Sequence, residues 1–249
     1  MRILFAIVVG GLLVVGCKSN KAAAPSTALQ SSPIAETATG TITGKAVYVG
    51  VAPTPREINM AAIPAAAAMH AGPVFEESIV VGAKNELKNV VVYLKDGAKF
   101  GGDVPTASAM LNQVGCLYEP HVLLVRVGQE IAVTNHDGFL HNAHALSKLQ
   151  PEFSKPQLAK GEKQIIPAAL VPETYKIRCD VHPWMISWAV VLDHPFAAIT
   201  DNNGAFSISG LQDGRYTLVA WQEKLGTREA EIEVKNGKGM AEFMFEPKK

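Results

Sequence analysis

The chain has 249 residues, room for one or two domains. It is 48% hydrophobic and 18% charged, a globular balance, and its 23 Lys and Arg equal its 23 Asp and Glu. No basic excess is present to hold nucleic acid, and no acidic tail to act as a solvating arm. Pro (15) and Gly (21) are frequent among short Val/Ile-rich runs, which favours an all-β protein.

Residues 1–16 read as a signal peptide. Arg2 is the positive start, and Ile3 to Val15 is an apolar run too short to cross a bilayer comfortably. The run ends Val14-Val15-Gly16-Cys17, which resembles a bacterial lipobox. The implied processing is cleavage before Cys17 and lipidation of its thiol, with acyl chains holding the protein on a membrane surface. Cleavage removes only Arg2 among the charges and leaves a net charge of −1. Lys18 after the cysteine, rather than Asp, points by analogy to the periplasmic face of an outer membrane. Residues 17–40 are Ala/Ser/Thr/Pro-rich without periodicity and read as a tether.

Thr41 to Gly50 reads as a strand. Residues 51–78 are broken by Pro53, Pro55, Pro64 and Pro73, with one helical turn at Ala65 to Ala68. Val80-Val81 and Val90 to Leu94 read as strands, with turns at Asn85-Glu86 and Asp96-Gly97. Strands follow at Val122 to Val127 and Ile131 to Asn135. Residues 147–163 read as a loop. Gln164 to Ile166, Thr174 to Arg178 and Ser187 to Leu192 complete this part. Beyond it, Asp201-Asn202-Asn203-Gly204 reads as a two-residue hairpin turn with positive φ at both Asn203 and Gly204. Phe206 and Ile208 alternate inward. Asp213-Gly214 turns again, and Tyr216, Leu218 and Ala220 alternate against Thr217, Val219 and Trp221.

The chemistry concentrates in Cys179-Asp180-Val181-His182-Pro183-Trp184-Met185. A thiolate, an imidazole and a thioether stand at C-x-x-H-x-x-M spacing. Two His, one Cys and a weak axial Met define a blue-copper electron-transfer site. The second His is offered by Asn135-His136-Asp137-Gly138-Phe139-Leu140-His141-Asn142. The bland readings are a buried inert Cys179, or its disulfide with Cys116, and a Met185 that only packs. His144, at an odd offset from His141 on a strand, faces the other way and reads as a non-ligand. No second Cys lies near Cys179 in the sequence, so two bridging thiolates are not expected. There is no C-x-x-C-H, G-x-S-x-G, H-E-x-x-H or phosphate loop, so no enzyme is expected.

Together the two motifs resemble the cupredoxins, most closely the amicyanin-like type with a short loop between Cys and Met. The resemblance covers Tyr118 to Leu192. It implies a Greek-key β-sandwich holding one type 1 copper ion on His141, Cys179, His182 and an axial Met185. It implies that the Asn142 backbone N–H bonds the Cys sulfur and that Asn135 ties the two ligand loops together. It also implies an electron port: the His182 ring edge meets solvent inside an apolar patch of Phe139, Leu140, Pro183 and Trp184. Leu140 stands where the family usually has Pro. Cys116 resembles a position that, in similar bacterial two-module proteins, can pair with a cysteine from the preceding segment. Here that region is Ala65 to Ala68, so Cys116 is left a buried thiol or serves another purpose.

The pattern from Thr200 to Trp221 resembles carboxypeptidase-regulatory-like (transthyretin-like) β-sandwich modules. Such modules open with strands like Ile42 to Val47 and Asn89 to Tyr93. The expected organisation is therefore a discontinuous sandwich, 41–103 with 193–249, carrying an inserted cupredoxin domain, 104–192. The rival gives residues 79–95 to the cupredoxin sheet. The functional expectation is a monomeric, membrane-anchored carrier of single electrons between transient redox protein partners. Its alternative is a copper-binding or sensory envelope module whose metal does not cycle.

Overall fold

The computed structural model describes residues 40–247. The signal peptide, Cys17 and all of the tether but Gly40 lie outside the described residues. The elements are β1 (Gly40–Tyr48), α1 (Pro64–Ala67), β2 (Val91–Leu94), a 3-10 turn (Gly97–Phe100), β3 (Ala109–Val114), β4 (Leu117–Glu119), β5 (Val122–Arg126), β6 (Ile131–Asn135), β7 (His141–Ala145), β8 (Phe153–Gln157), β9 (Lys163–Ile166), β10 (Glu173–Arg178), β11 (Ile186–Leu192), β12 (Ala197–Ile199), β13 (Ala205–Leu211), β14 (Gly214–Gln222), β15 (Gly226–Val234) and β16 (Lys238–Phe245). The all-β class expected from the short apolar runs holds.

Among the described residues four sheets form, in the orders β4-β3-β6-β9, β5-β11-β10-β7-β8, β12-β2-β14-β15 and β13-β1-β16. The first two close on Leu111, Ile131, Val133, Leu123, Tyr175, Ile177 and Val191. The last two close on Ile42, Leu87, Leu94, Phe206, Ile208, Leu218 and Phe245. Each inward set alternates along its strand because successive side chains point to opposite faces. Val91–Leu94 pairs with β12 and β14, so this strand belongs to the same sandwich as the C-terminal strands. Within residues 51–78 the packing is different: Ile58, Met60 and Ala66 pack on the core of the metal-motif sandwich.

The two sandwiches meet face to face. Val91 and Trp221 pack on Val122, Trp188, Val190 and Leu192. At the crossing point, Arg126 donates to the carbonyls of Gly102 and Asp193, so the segment leaving one sandwich and the segment returning to it are tied together.

Three local expectations change. Val80-Val81 makes only an isolated bridge, Val81 to Leu87. Residues 147–163 contain β8, whose Ser154-Lys155-Pro156 centre is polar and solvent-facing. β8 is an edge strand, where a Pro can sit without breaking a ladder. The 201–204 turn has positive φ at Gly204 alone (66°). Asp201 Oδ1 takes the N–H groups of Asn203 and Ala205, and these bonds hold its carboxyl below the usual carboxylate range. The turn is thus built on the Asp side chain and carries the chain from the sheet of β12 to the sheet of β13.

Candidate metal centre

The C-x-x-H-x-x-M segment is the tip of the β10–β11 hairpin, whose last paired residues are Arg178 and Ile186. The tip is closed by two backbone bonds, Cys179 N–H to Met185 O (3.1 Å) and Met185 N–H to His182 O (2.9 Å). Cys179, His182 and Met185 are all buried, as is His141 at the start of β7. The Nδ1 atoms of His141 and His182 lie 3.1 Å apart, and Cys179 Sγ is 3.6 Å from His182 Nδ1.

The His141–His182 and His182–Cys179 spacings are each those of two donors on one ion. Bonds of about 2.0 Å to imidazole and about 2.3 Å to thiolate, at tetrahedral angles, place the donors about 3.3 Å (N to N) and about 3.5 Å (N to S) apart. Sulfur with imidazole is a set that suits copper, and zinc as well.

Asp137 orients the first imidazole. Its buried carboxylate accepts from His141 Nε2 at 2.8 Å. A carboxylate can only accept, so the proton sits on Nε2 and the Nδ1 lone pair faces inward. Burial pushes the His141 pKa down while Asp137 pulls it up, and the net is lowered. Burial and then the neighbouring His141 lower that of His182. Both imidazoles are thereby biased to the neutral form that binds metal.

The same carboxylate builds a second wall. Gly115 and Cys116 form the two-residue turn of the β3–β4 hairpin, both with positive φ (60° and 61°). Their N–H groups donate to Asp137 at 2.9 and 2.8 Å. The Gly115 carbonyl accepts from His70 Nε2 (2.7 Å) and the Cys116 carbonyl from Trp184 Nε1 (2.9 Å). The Cys116 thiol, a ring nitrogen of His141 and one of His182 lie within 4.8 Å of one another. Cys116 and Cys179 are both free thiols. Burial, then the charges of Asp137 and Cys179, push the Cys116 thiol up to about 12. The fold thus brings to the site a cysteine that sequence distance kept apart from it.

The residues tying the ligand loops together differ from expectation. Asn135 donates to the carbonyls of Phe139 and Gln157 and accepts from the Asp137 N–H. It braces the first loop and does not reach the second. The clamp is Asn142: its Oδ1 accepts the Asp180 N–H (2.6 Å) and its Nδ2 donates to Asp180 Oδ2 (2.8 Å). Asp180 also takes His144 Nδ1 and Arg178 Nε. Burial opposes its charge, but the bonds from His144 and Asn142 win and its pKa is lowered. Tyr118 adds a further tie, donating its O–H to the Asn142 carbonyl at 2.6 Å.

Of the expected patch, Leu140 and Pro183 are exposed, joined by Val181, while Phe139 and Trp184 are half-buried. The His182 ring is only 2% exposed, with Phe139 and Trp184 at ring-centroid distances of 5.8 and 5.6 Å. The solvent-facing ring edge implied by the resemblance is therefore covered. Beside it, Pro183 and Trp184 wall a groove of about 600 Å³ with Val74, Phe75, His121 and Glu223.

A family model described as polysaccharide lyase family 4, domain II matches residues 172–241. It runs from the ligand hairpin into the second sandwich and is not the carboxypeptidase-regulatory-like module expected there. No curated protein matches the chain. Among solved structures the chain is similar to a Cu-containing nitrite reductase (NirK) from Thermus scotoductus SA-01, at 24% identity and a TM-score of 0.32. That match covers 59% of this chain, which spans 28% of the reductase's length. It is also similar to a purple cupredoxin from Nitrosopumilus maritimus, at 24% identity over 34% of this chain and 100% of the other (TM-score 0.30). A third is an oxidised mutant of amicyanin, at 21% identity over 37% of this chain and 89% of the other (TM-score 0.32).

Proposed function

We propose that the protein is a copper-binding carrier of single electrons and does no bond chemistry of its own. The observation that carries this is the facing pair of His141 and His182 Nδ1 atoms with the Cys179 thiol beside them, in a buried pocket. His141, Cys179 and His182 would hold the ion, with the buried Met185 thioether as a weaker fourth donor. Copper, when bound, supplies a one-electron couple. The chain's own part is to keep the donors fixed. Asp137 sets the His141 tautomer, the Asn142–Asp180 clamp holds the two loops in register, and the closed hairpin tip keeps water out. Little then has to move when charge changes.

The exposed apolar side chains Leu140, Val181 and Pro183 suit a small, transient contact with a redox protein. With a net charge near zero, long-range steering of that contact is weak. A lipid on Cys17 would hold the monomer at the envelope membrane, with the second sandwich as a non-catalytic support. The nearness of Cys116 favours one other reading, a soft ion held tightly and not cycled.

The test is the visible spectrum of the copper-loaded chain. An intense thiolate-to-copper band is expected, and it should vanish in Cys179→Ala. Its survival in Cys179→Ala would sink the assignment.

A further inference from the structure

We propose that Cys116 is itself a metal ligand, so that one bound ion faces two cysteine sulfurs. This rests on the reading of His141 and His182 as ligands. Three observations support it. The Cys116 sulfur and the two imidazoles form a buried cluster within 4.8 Å. The thiol is aimed there by a turn in which all four backbone polar groups are bonded, two of them to the Asp137 that also orients His141. The bond on the Cys116 carbonyl comes from Trp184, which lies inside the ligand loop. The carboxylate that fixes one ligand therefore fixes Cys116 too, and the ligand loop is fastened to the cysteine's own backbone.

Two thiolates and two imidazoles form a set that suits copper in its monovalent state, and zinc as well.

The probe is copper(I), loaded without oxygen on the full chain so that the thiols stay reduced. X-ray absorption at the copper edge counts sulfur donors at about 2.3 Å. The native chain is expected to show one sulfur more than Cys116→Ser, with the Met185 thioether counted alike in both. Cys116→Gly should lose the same sulfur while accepting the positive φ, so a folding defect in the serine variant does not confuse the result. An unchanged sulfur count in both Cys116 variants overturns the proposal. If Cys179→Ser alone leaves the count unchanged, the assignment of Cys179 fails and that of Cys116 stands. If the native chain takes up no copper(I), both fail.

Discussion

Asp137 sits at the junction of three functional groups, holding His141 Nε2 and the N–H groups of Gly115 and Cys116. Asp137→Asn should weaken metal binding by about 10–100-fold, the usual effect of losing the partner that orients a ligating imidazole. Competition with a chromophoric chelator measures this, and native affinity in the variant would remove Asp137 from the account. Asp137→Ala should also cost stability, about 1–3 kcal/mol for each buried N–H left without a partner. Cys179, His182 and Met185 could be singled out because potential metal donors stand at short fixed spacings in one loop, and His141 by its own motif; the structure buries all four and brings His182 beside both His141 and Cys179. Asp137 carried a weaker signal, an acidic residue four positions before the first His. Cys116 carried none, because its nearness to the histidines exists only after β3 and β4 fold back beside β6. Asn142 took the tie expected of Asn135 for a similar reason: which amide reaches across to Asp180 depends on where β7 places each side chain.

At the level of elements, β1 is the most constrained. It lies between β13 and β16, and its Gly44 faces Phe206 on one side and Ala241 on the other. A Cβ there would meet the Ala241 carbonyl oxygen at 2.0 Å and the Phe206 ring at 2.6 Å. Gly44→Ala should destabilise by about 1–3 kcal/mol or more, since backbone cannot give way as a flexible side chain can. Thermal unfolding tests this, and an unchanged midpoint would mean that β1 is not clasped on both sides. Strands with apolar, β-branched runs, such as Ile131–Asn135, were readable to the residue. β8 was not, because its middle is polar and holds Pro156, and only its place at a sheet edge makes it a strand.

Across the whole molecule, the two sandwiches share more than a linker. Trp188 and Trp221 meet at 5.3 Å between centroids, and His121 and Glu223 form a nearly buried pair across the joint. Removing one member leaves a nearly buried polar group without its partner, which costs about 1–3 kcal/mol. Glu223→Ala should therefore lower the stability of both sandwiches together, and calorimetry should show one transition in the native chain. A Glu223→Ala variant as stable as the native chain would mean that the joint contributes little. The pairing of β1 and β2 with the C-terminal strands could be suspected from strand patterns at both ends of the chain. The welded joint could not, because residues such as Val91 and Val190 read as core in either sandwich.

The central claim is that one buried pocket holds a copper ion that gains and loses a single electron. Anaerobic titration of the full chain with copper, followed by cycles of ascorbate and ferricyanide, tests it most directly. The account predicts saturation at one copper per chain and a strong visible band that bleaches and returns fully over repeated cycles, with one electron counted per copper. A pocket that fills without the band, or a band that never bleaches, would contradict it.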